Sequence, residues 1–304
     1  MLQNILVTGA TGKQGGAVIS ALHSIENNAI TIYALSRNIT SPAALKLASR
    51  YNGIKLVSGS FDDPEAIFAA CGVPISCVFA VQLPTGFPPS AEAEERHGKD
   101  LIDAAVAHGV KVYVQTSVDR GQQSDENPTK VPHFISKYNI EKHLERRAKE
   151  GEGRVSFTIL RPASFMDNFA GGFPSKVVAT AWRDTLPANL KVQMIAIKDI
   201  GWFAAQALTD PENDLYRNKS ISLAGDYLSY AEIEELYQET TKETLPTTYA
   251  VTVWVLFKLV KEMSLTFEFF RDEGFSADIQ SLRTINPGLT SFKMWLEQNK
   301  TSQS

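Results

Sequence analysis

Cysteine is nearly absent, with only Cys71 and Cys77 in 304 residues. They flank Gly72 and Pro74 without C-x-x-C spacing, which argues against a disulfide framework, a zinc knuckle or a redox pair, so both read as core residues. Histidine is scarce too, with five in the chain. His23, His97, His108 and His143 show no H-E-x-x-H or comparable ligand spacing, so nothing in the pattern supports a metal centre. There is no excess of positive charge: 30 Lys and Arg face 34 Asp and Glu, for a net charge of -4 and a pI of about 5.8. Such a chain has no general field for nucleic acid, and no direct nucleic-acid binding is expected. Long apolar runs are also missing. The most apolar late stretch, Ala250 to Val260, is shorter than the roughly 20 residues that cross a bilayer and runs into Lys261 and Glu262, so it reads as a buried helix or a lid rather than a membrane span. The chain passes from Met1 directly into a strand pattern without a basic start or a small-residue cleavage site, which points to the cytoplasm, with the nucleus as a second compartment.

What is present is an ordinary globular balance, 43% hydrophobic and 21% charged, enough to bury a sizeable core. Strand-like runs at Ile5 to Val7, Ile30 to Leu35, Ile54 to Val57, Ile75 to Val81, Val110 to Gln115 and Val155 to Leu160 alternate with helical stretches. The helices are expected to begin near Gly15, Pro42, Pro64, Glu92 and Pro132. That alternation is the signature of βαβ units, and it predicts a Rossmann-type α/β fold, a doubly wound parallel sheet. Ser41 and Asp63 precede Pro42 and Pro64 as helix caps, where proline costs no hydrogen bond. After Leu160 the alternation loosens. The expectation is a nucleotide-binding domain over residues 1–160 and a smaller mixed α/β C-terminal lobe over 161–304, with segments interleaved between the two. Ser229 to Glu232 forms a capping-box pattern that should start a helix. The acidic run Glu92 to Glu95 reads as the solvated first turn of a helix.

Gly9-Ala10-Thr11-Gly12-Lys13-Gln14-Gly15 lies directly between the first strand and the first helix. A strand-to-helix turn gathers backbone N–H groups and the positive end of the helix dipole, and glycines let a pyrophosphate approach the backbone. Gly9, Thr11, Gly12, Lys13, Gln14 and Gly15 are therefore candidate cofactor contacts. At the end of the second strand, Leu35-Ser36-Arg37-Asn38 carries no acid for a free ribose 2′-hydroxyl. Arg37, about 20 residues beyond the turn, instead offers a guanidinium to a 2′-phosphate, which favours NADP(H) over NAD(H).

With these motifs in place the chain resembles the NmrA-like family of atypical short-chain dehydrogenase/reductases over nearly its whole length. The resemblance rests on Val7-Thr8-Gly9-Ala10-Thr11-Gly12, Arg37, Gly59-Ser60-Phe61-Asp62-Asp63 and Leu160-Arg161-Pro162 with Phe165, Met166, Asn168 and Phe169. Asp199-Ile200-Gly201, Ala224-Gly225 and Thr290-Ser291-Phe292 near Trp295 extend it. It implies a dinucleotide over the carboxyl ends of the strands, with Ser60, Phe61, Asp62, Val81 and Gln82 as further cofactor contacts. Where the family usually has Gly-Asp after the third strand, this chain has Gly59-Ser60, so a carboxylate near the adenine is either missing or supplied by Asp62.

Catalytic members of the wider superfamily use a serine after the fifth strand and a Tyr-x-x-x-Lys helix. Ser117 matches the serine, although it equally fits a strand-end cap. Tyr138 to Lys142 is a literal match to the second motif, and His133 to Lys137 an alternative. On a helix advancing about 100° per residue, His133, Ile140 and Leu144 fall within about 60° of Lys137, whereas Lys142 lies about 140° away. Lys137 is thus expected on the buried face, at the nicotinamide ribose, with His133 in the proton donor's place and Lys142 toward solvent. Phe257, Phe267, Phe269 and Phe270 fit either a ligand cleft or a core. The resemblance and the displaced tyrosine together favour a redox-sensing regulator that acts through a protein partner. The alternative is an NADPH-dependent reductase of a carbonyl, imine or conjugated double bond in a small molecule, using His133, Lys137 and Ser117.

Overall fold

A computed structural model describes residues 3–25, 29–82, 90–150 and 155–301. The first half alternates strand and helix: β1 (Gln3–Val7), α1 (Lys13–His23), β2 (Ile30–Ser36), α2 (Pro42–Arg50), β3 (Lys55–Ser58), α3 (Pro64–Cys71), β4 (Cys77–Ala80), α4 (Ala91–Ala107), β5 (Val112–Thr116), α5 (Pro132–Glu150) and β6 (Ser156–Pro162). There follow β7 (Ser164–Phe165), α6 (Gly172–Thr185), β8 (Lys191–Ile195), α7 (Ile197–Thr209), β9 (Lys219–Leu223), β10 (Asp226–Ser229), α8 (Tyr230–Thr241), α9 (Ala250–Leu259), α10 (Lys261–Asp272), α11 (Ile279–Ile285) and α12 (Phe292–Thr301). Seven strands form one sheet in the order β3-β2-β1-β4-β5-β6-β9, and the pairings from β3 through β6 are parallel. This is the Rossmann-like α/β fold that the alternation predicts. A second sheet is mixed, with β8 antiparallel to β10 and parallel to β7.

Two compact units divide the chain, and each draws on several segments. The first comprises residues 1–117, 136–161 and 200–221, and holds the large sheet. Its central strands β4 and β5 are buried along their length, every residue from Val112 to Thr116 included, because helices cover both faces of a parallel sheet, whereas the edge strands β3 and β9 are partly exposed. Helix α1 packs through Val18, Ile19 and Leu22, and a Cβ at Gly201 would stand 2.5 Å from the Ala17 backbone, so α7 approaches α1 closely. Sequence caps appear where expected: Ser41 accepts from the Ala44 N–H and Asp63 from the Ala66 N–H.

The second unit comprises residues 118–135, 162–199 and 222–304. Its core is aromatic: Phe134, Phe169, Trp182, Phe267, Phe269, Phe270, Phe292 and Trp295 are buried together. The late phenylalanines therefore serve packing, with Phe257 partly buried against them. The capping box is complete, since Ser229 Oγ accepts from the Glu232 N–H while the Glu232 carboxylate accepts from the Ser229 N–H. Of the two alternatives for the stretch from Ala250, the buried helix fails here. The apolar stretch from Ala250 forms α9, yet Val253 is its one buried residue, and Val251, Trp254 and Leu259 are 64%, 62% and 77% exposed. Its apolar side chains cover more than one face, and a single face packs inward. No helix among the described residues is long and apolar enough to cross a membrane.

Candidate dinucleotide site

Strand order fixes where a ligand is expected. From β1 the chain moves outward to β2 and β3, then crosses to β4 on the other side of β1. The carboxyl ends of β1 and β4 flank the reversal, the usual ligand crevice of an open α/β sheet. They are tied there by Thr8, whose N–H donates to the Phe79 carbonyl and whose Oγ accepts from the Val81 N–H at 2.9 Å.

The glycine turn occupies this point. Gly9 has a φ of +56°, which favours glycine, and the Gly12 N–H closes the turn on the Gly9 carbonyl at 2.8 Å. A Cβ at Gly15 would lie 2.3 Å from the Gly9 carbonyl oxygen and 2.7 Å from that of Thr8, so this glycine lets α1 start against the end of β1. Gly12 is the N-cap of α1; it supplies no capping side chain, and no acid stands in the first turn. The helix end therefore keeps its positive character toward an anion. Thr11, Gly12 and Lys13 are exposed, while Gln14 is half-buried and accepts a 2.7 Å hydrogen bond from Thr116 Oγ1, which links the turn to the end of β5. Arg37 is exposed just beyond β2, and no hydrogen bond or ion pair engages it among the described residues. The Gly59 N–H donates to the Ser36 carbonyl, which sets the Gly59 turn beside the Arg37 strand end.

Ser60 and Asp62 form a local turn, with Ser60 Oγ donating to Asp62 Oδ2 at 3.0 Å. The other carboxylate oxygen of Asp62 is met by His97 Nε2 at 2.8 Å and by Arg96 at 3.3 Å. The His97 bond, then those of Ser60 and Arg96, lower the Asp62 carboxyl to about 2. Asp62 is thus already committed to α4, and Phe61 packs with its ring centroid 6.0 Å from that of His97. Val81 and Gln82 are buried at the end of β4, where the Gln82 carboxamide oxygen accepts from Gln115 at 2.9 Å.

Helix α5 carries the remaining candidates, and the structure separates them. Ile140 and Leu144 are 1% and 0% exposed, so the inward face is the one that helix phase marks. Lys137 lies toward it with its side chain 13% exposed, and its Nζ donates to Glu94 Oε1 at 2.6 Å. Glu94 is fully buried, and its other oxygen accepts from Ser136 Oγ at 2.6 Å. This corrects the reading of Glu92 to Glu95 as a solvated turn. Glu92 is exposed, but Glu94 in the same first turn is buried against α5, and Glu95 binds Lys99 and Asn139. Lys142 donates to Glu145 at 2.9 Å and lies 5.5 Å from the Tyr138 ring centroid, its side chain 34% exposed.

His133 differs from the expectation that it shares the buried face. Its side chain is 29% exposed, and its Nδ1 lies 2.5 Å from Glu262 Oε1 on α10. The first turn of α5 packs with the second unit's helices, so the ring is drawn there. Ser117 is 5% exposed and donates to Glu141, which is fully buried and accepts from Arg161 at 2.6 Å. Ser117, Glu141 and Arg161 thereby join β5, α5 and β6. Sequence reasoning missed both buried carboxylates. Glu141 falls on the helix stripe of Lys137, a signal that was legible; nothing local marks Glu94.

A similar architecture occurs in solved structures. The NADP(H) complex of the Citrobacter sp. triphenylmethane reductase matches with a TM-score of 0.72 at 19% identity, covering 98% of this chain and 99% of that one. NmrA, a negative transcriptional regulator solved with NADP, matches with a TM-score of 0.71 at 13% identity over 100% of this chain and 99% of that one. At such identities the likeness concerns the fold. A Dictyostelium discoideum NmrA-like family domain-containing protein is 23% identical over 311 residues, spanning 98% of both chains. The family model for NmrA-like proteins matches residues 1–296, and the chain belongs to the NmrA-like family.

Proposed function

We propose that the chain binds NADP(H) at the β1–β4 reversal and acts as a redox-sensing regulator, its dinucleotide occupancy being read by a protein partner. The backbone of the Gly9 to Gly15 turn and the α1 N-terminus would hold the pyrophosphate, and Arg37 the 2′-phosphate. Lys137 would meet the nicotinamide ribose, with Ser60, Phe61, Asp62, Val81 and Gln82 lining the rest. The glycine cradle supports the fit, since Gly12 is exposed at an uncapped, acid-free helix end. Bound NADPH supplies a hydride.

The observation that carries the sensor reading is that the side chains placed to move a proton are engaged elsewhere. Ser117 donates into the Glu141–Arg161 pair, and His133 is held by Glu262. Sensing requires the partner to bind the two nucleotide states with different free energies, typically by about 1 to 3 kcal/mol. The fold shared with an NADP(H)-bound reductase favours a second reading, an NADPH-dependent reductase of a carbonyl, imine or conjugated double bond. On that reading Ser117 and His133 would have to leave these partners before either could move a proton. The test is NADPH consumption over a panel of quinones, triarylmethane dyes, enones, imines and ketones, run beside calorimetric titration with NADPH and NADP+. Binding without consumption is expected; consumption above background would replace the sensor with the reductase.

A further inference from the structure

We propose that Glu94 is a positioning residue for Lys137, holding its amine toward the dinucleotide; this rests on the NADP(H) reading above. Lysine is a compact charge on a flexible four-carbon stem, so an unheld ammonium loses conformational freedom when it binds a ligand. Here that freedom is already restricted. Glu94 is 0% exposed, and a carboxylate so far from water keeps its charge only when paired and hydrogen-bonded. Its two oxygens are divided between consecutive residues of α5: Ser136 Oγ fixes Oε2, and this aims Oε1 at Lys137 Nζ, each at 2.6 Å. Swinging Lys137 away would strand a buried anion.

The arrangement is directional. Glu94 sits on α4 behind the lysine and reaches no solvent, so a ligand meets it only through Lys137. Lys137 keeps 13% of its side chain exposed, and an ammonium has three donors, of which Glu94 takes one. Glu94 therefore acts as an interior strut: it sets the rotamer of a cation that keeps part of its side chain open to a ligand. Preorganisation of this kind raises affinity by removing an ordering cost from the binding step.

A double-mutant cycle on NADPH affinity tests the proposal, with binding read from nucleotide fluorescence and melting temperature measured in parallel. Glu94→Gln is expected to weaken NADPH about tenfold, and Lys137→Met at least as much. The double variant is expected to bind within about twofold of Lys137→Met, since the strut has nothing left to hold. Equal weakening by Glu94→Gln in both backgrounds, or none in the native one, overturns the proposal while leaving Lys137 at the cofactor. Unchanged affinity in Lys137→Met instead overturns the reading on which it rests. Should any of these variants not fold, Ser136→Ala decides, because it removes only the hydroxyl that aims the carboxylate. It should weaken NADPH about threefold with little change in melting temperature, and unchanged affinity there overturns the strut.

Discussion

One carboxylate oxygen of Glu262 meets His133 twice, 3.1 Å from its backbone nitrogen and 2.5 Å from its ring Nδ1. His133 is the second residue of α5, so this acid from α10 caps a helix that brings no acid in its own first turn. The His133 ring bond is the largest cause of the lowered Glu262 carboxyl. A carboxyl whose folded pKa is lowered stabilises the fold above its ordinary value, about 4.3. That contribution is lost as pH falls through the lowered folded value. Glu262→Gln should therefore lower stability at pH 7 by about 1 kcal/mol or less given the exposure of the pair, read as a lower melting temperature. The gap to the native protein should close in acid; a gap unchanged at low pH contradicts this account.

Arg37→Ala should remove most of the preference for NADP(H) over NAD(H), weakening NADPH by about 10- to 100-fold while leaving NADH nearly unchanged. Titration calorimetry with both nucleotides measures this. Equal affinities in the native protein would release Arg37 from the 2′-phosphate.

Two glycines three residues apart should fail differently. A Cβ at Gly15 would meet backbone oxygens at 2.3 and 2.7 Å, so Gly15→Ala is expected to lower stability by several kcal/mol, and binding with it. At Gly12 the nearest atom would be 3.1 Å away, and the position is exposed. Gly12→Val should leave a folded protein that binds both nucleotides at least about tenfold more weakly, because the branched side chain fills the phosphate approach. Thermal melts and titrations together distinguish the two.

Ser117→Ala should cost about 1 kcal/mol of stability and change the turnover of any accepted substrate less than about threefold. Glu141→Gln strands Arg161, which is 4% exposed, and should cost about 3–5 kcal/mol. A folded Ser117→Ala protein that loses a working turnover a hundredfold would make the hydroxyl catalytic. Lys142→Ala, at the half-exposed Glu145 pair, is expected to shift NADPH affinity less than about twofold.

The strands, the first helices and their caps were legible because each rests on local chemistry: hydrophobic alternation, proline at N1 after Ser41 or Asp63, glycine at a strand-to-helix turn. Helix phase likewise marked Ile140 and Leu144 as buried and separated Lys137 from Lys142. What sequence could not show depends on which distant element covers a side chain. Glu94 and Glu92 look alike in the acidic run, and only packing against α5 makes one an interior anion. His133 has the phase of a buried residue, yet α10 supplies its carboxylate. The composition of α9 matches a buried helix, but burial needs a neighbour on each apolar face.

The sheet's last strand has a consequence for synthesis. β9 joins the edge beyond β6 only after the chain has left the first unit and returned to it between residues 200 and 221. Until those residues emerge from the ribosome, β6 remains a bare edge whose unpaired N–H and C=O groups can recruit another nascent chain. A truncation near residue 160, where the sequence pattern suggests a boundary, would make that transient hazard permanent and yield an aggregating fragment.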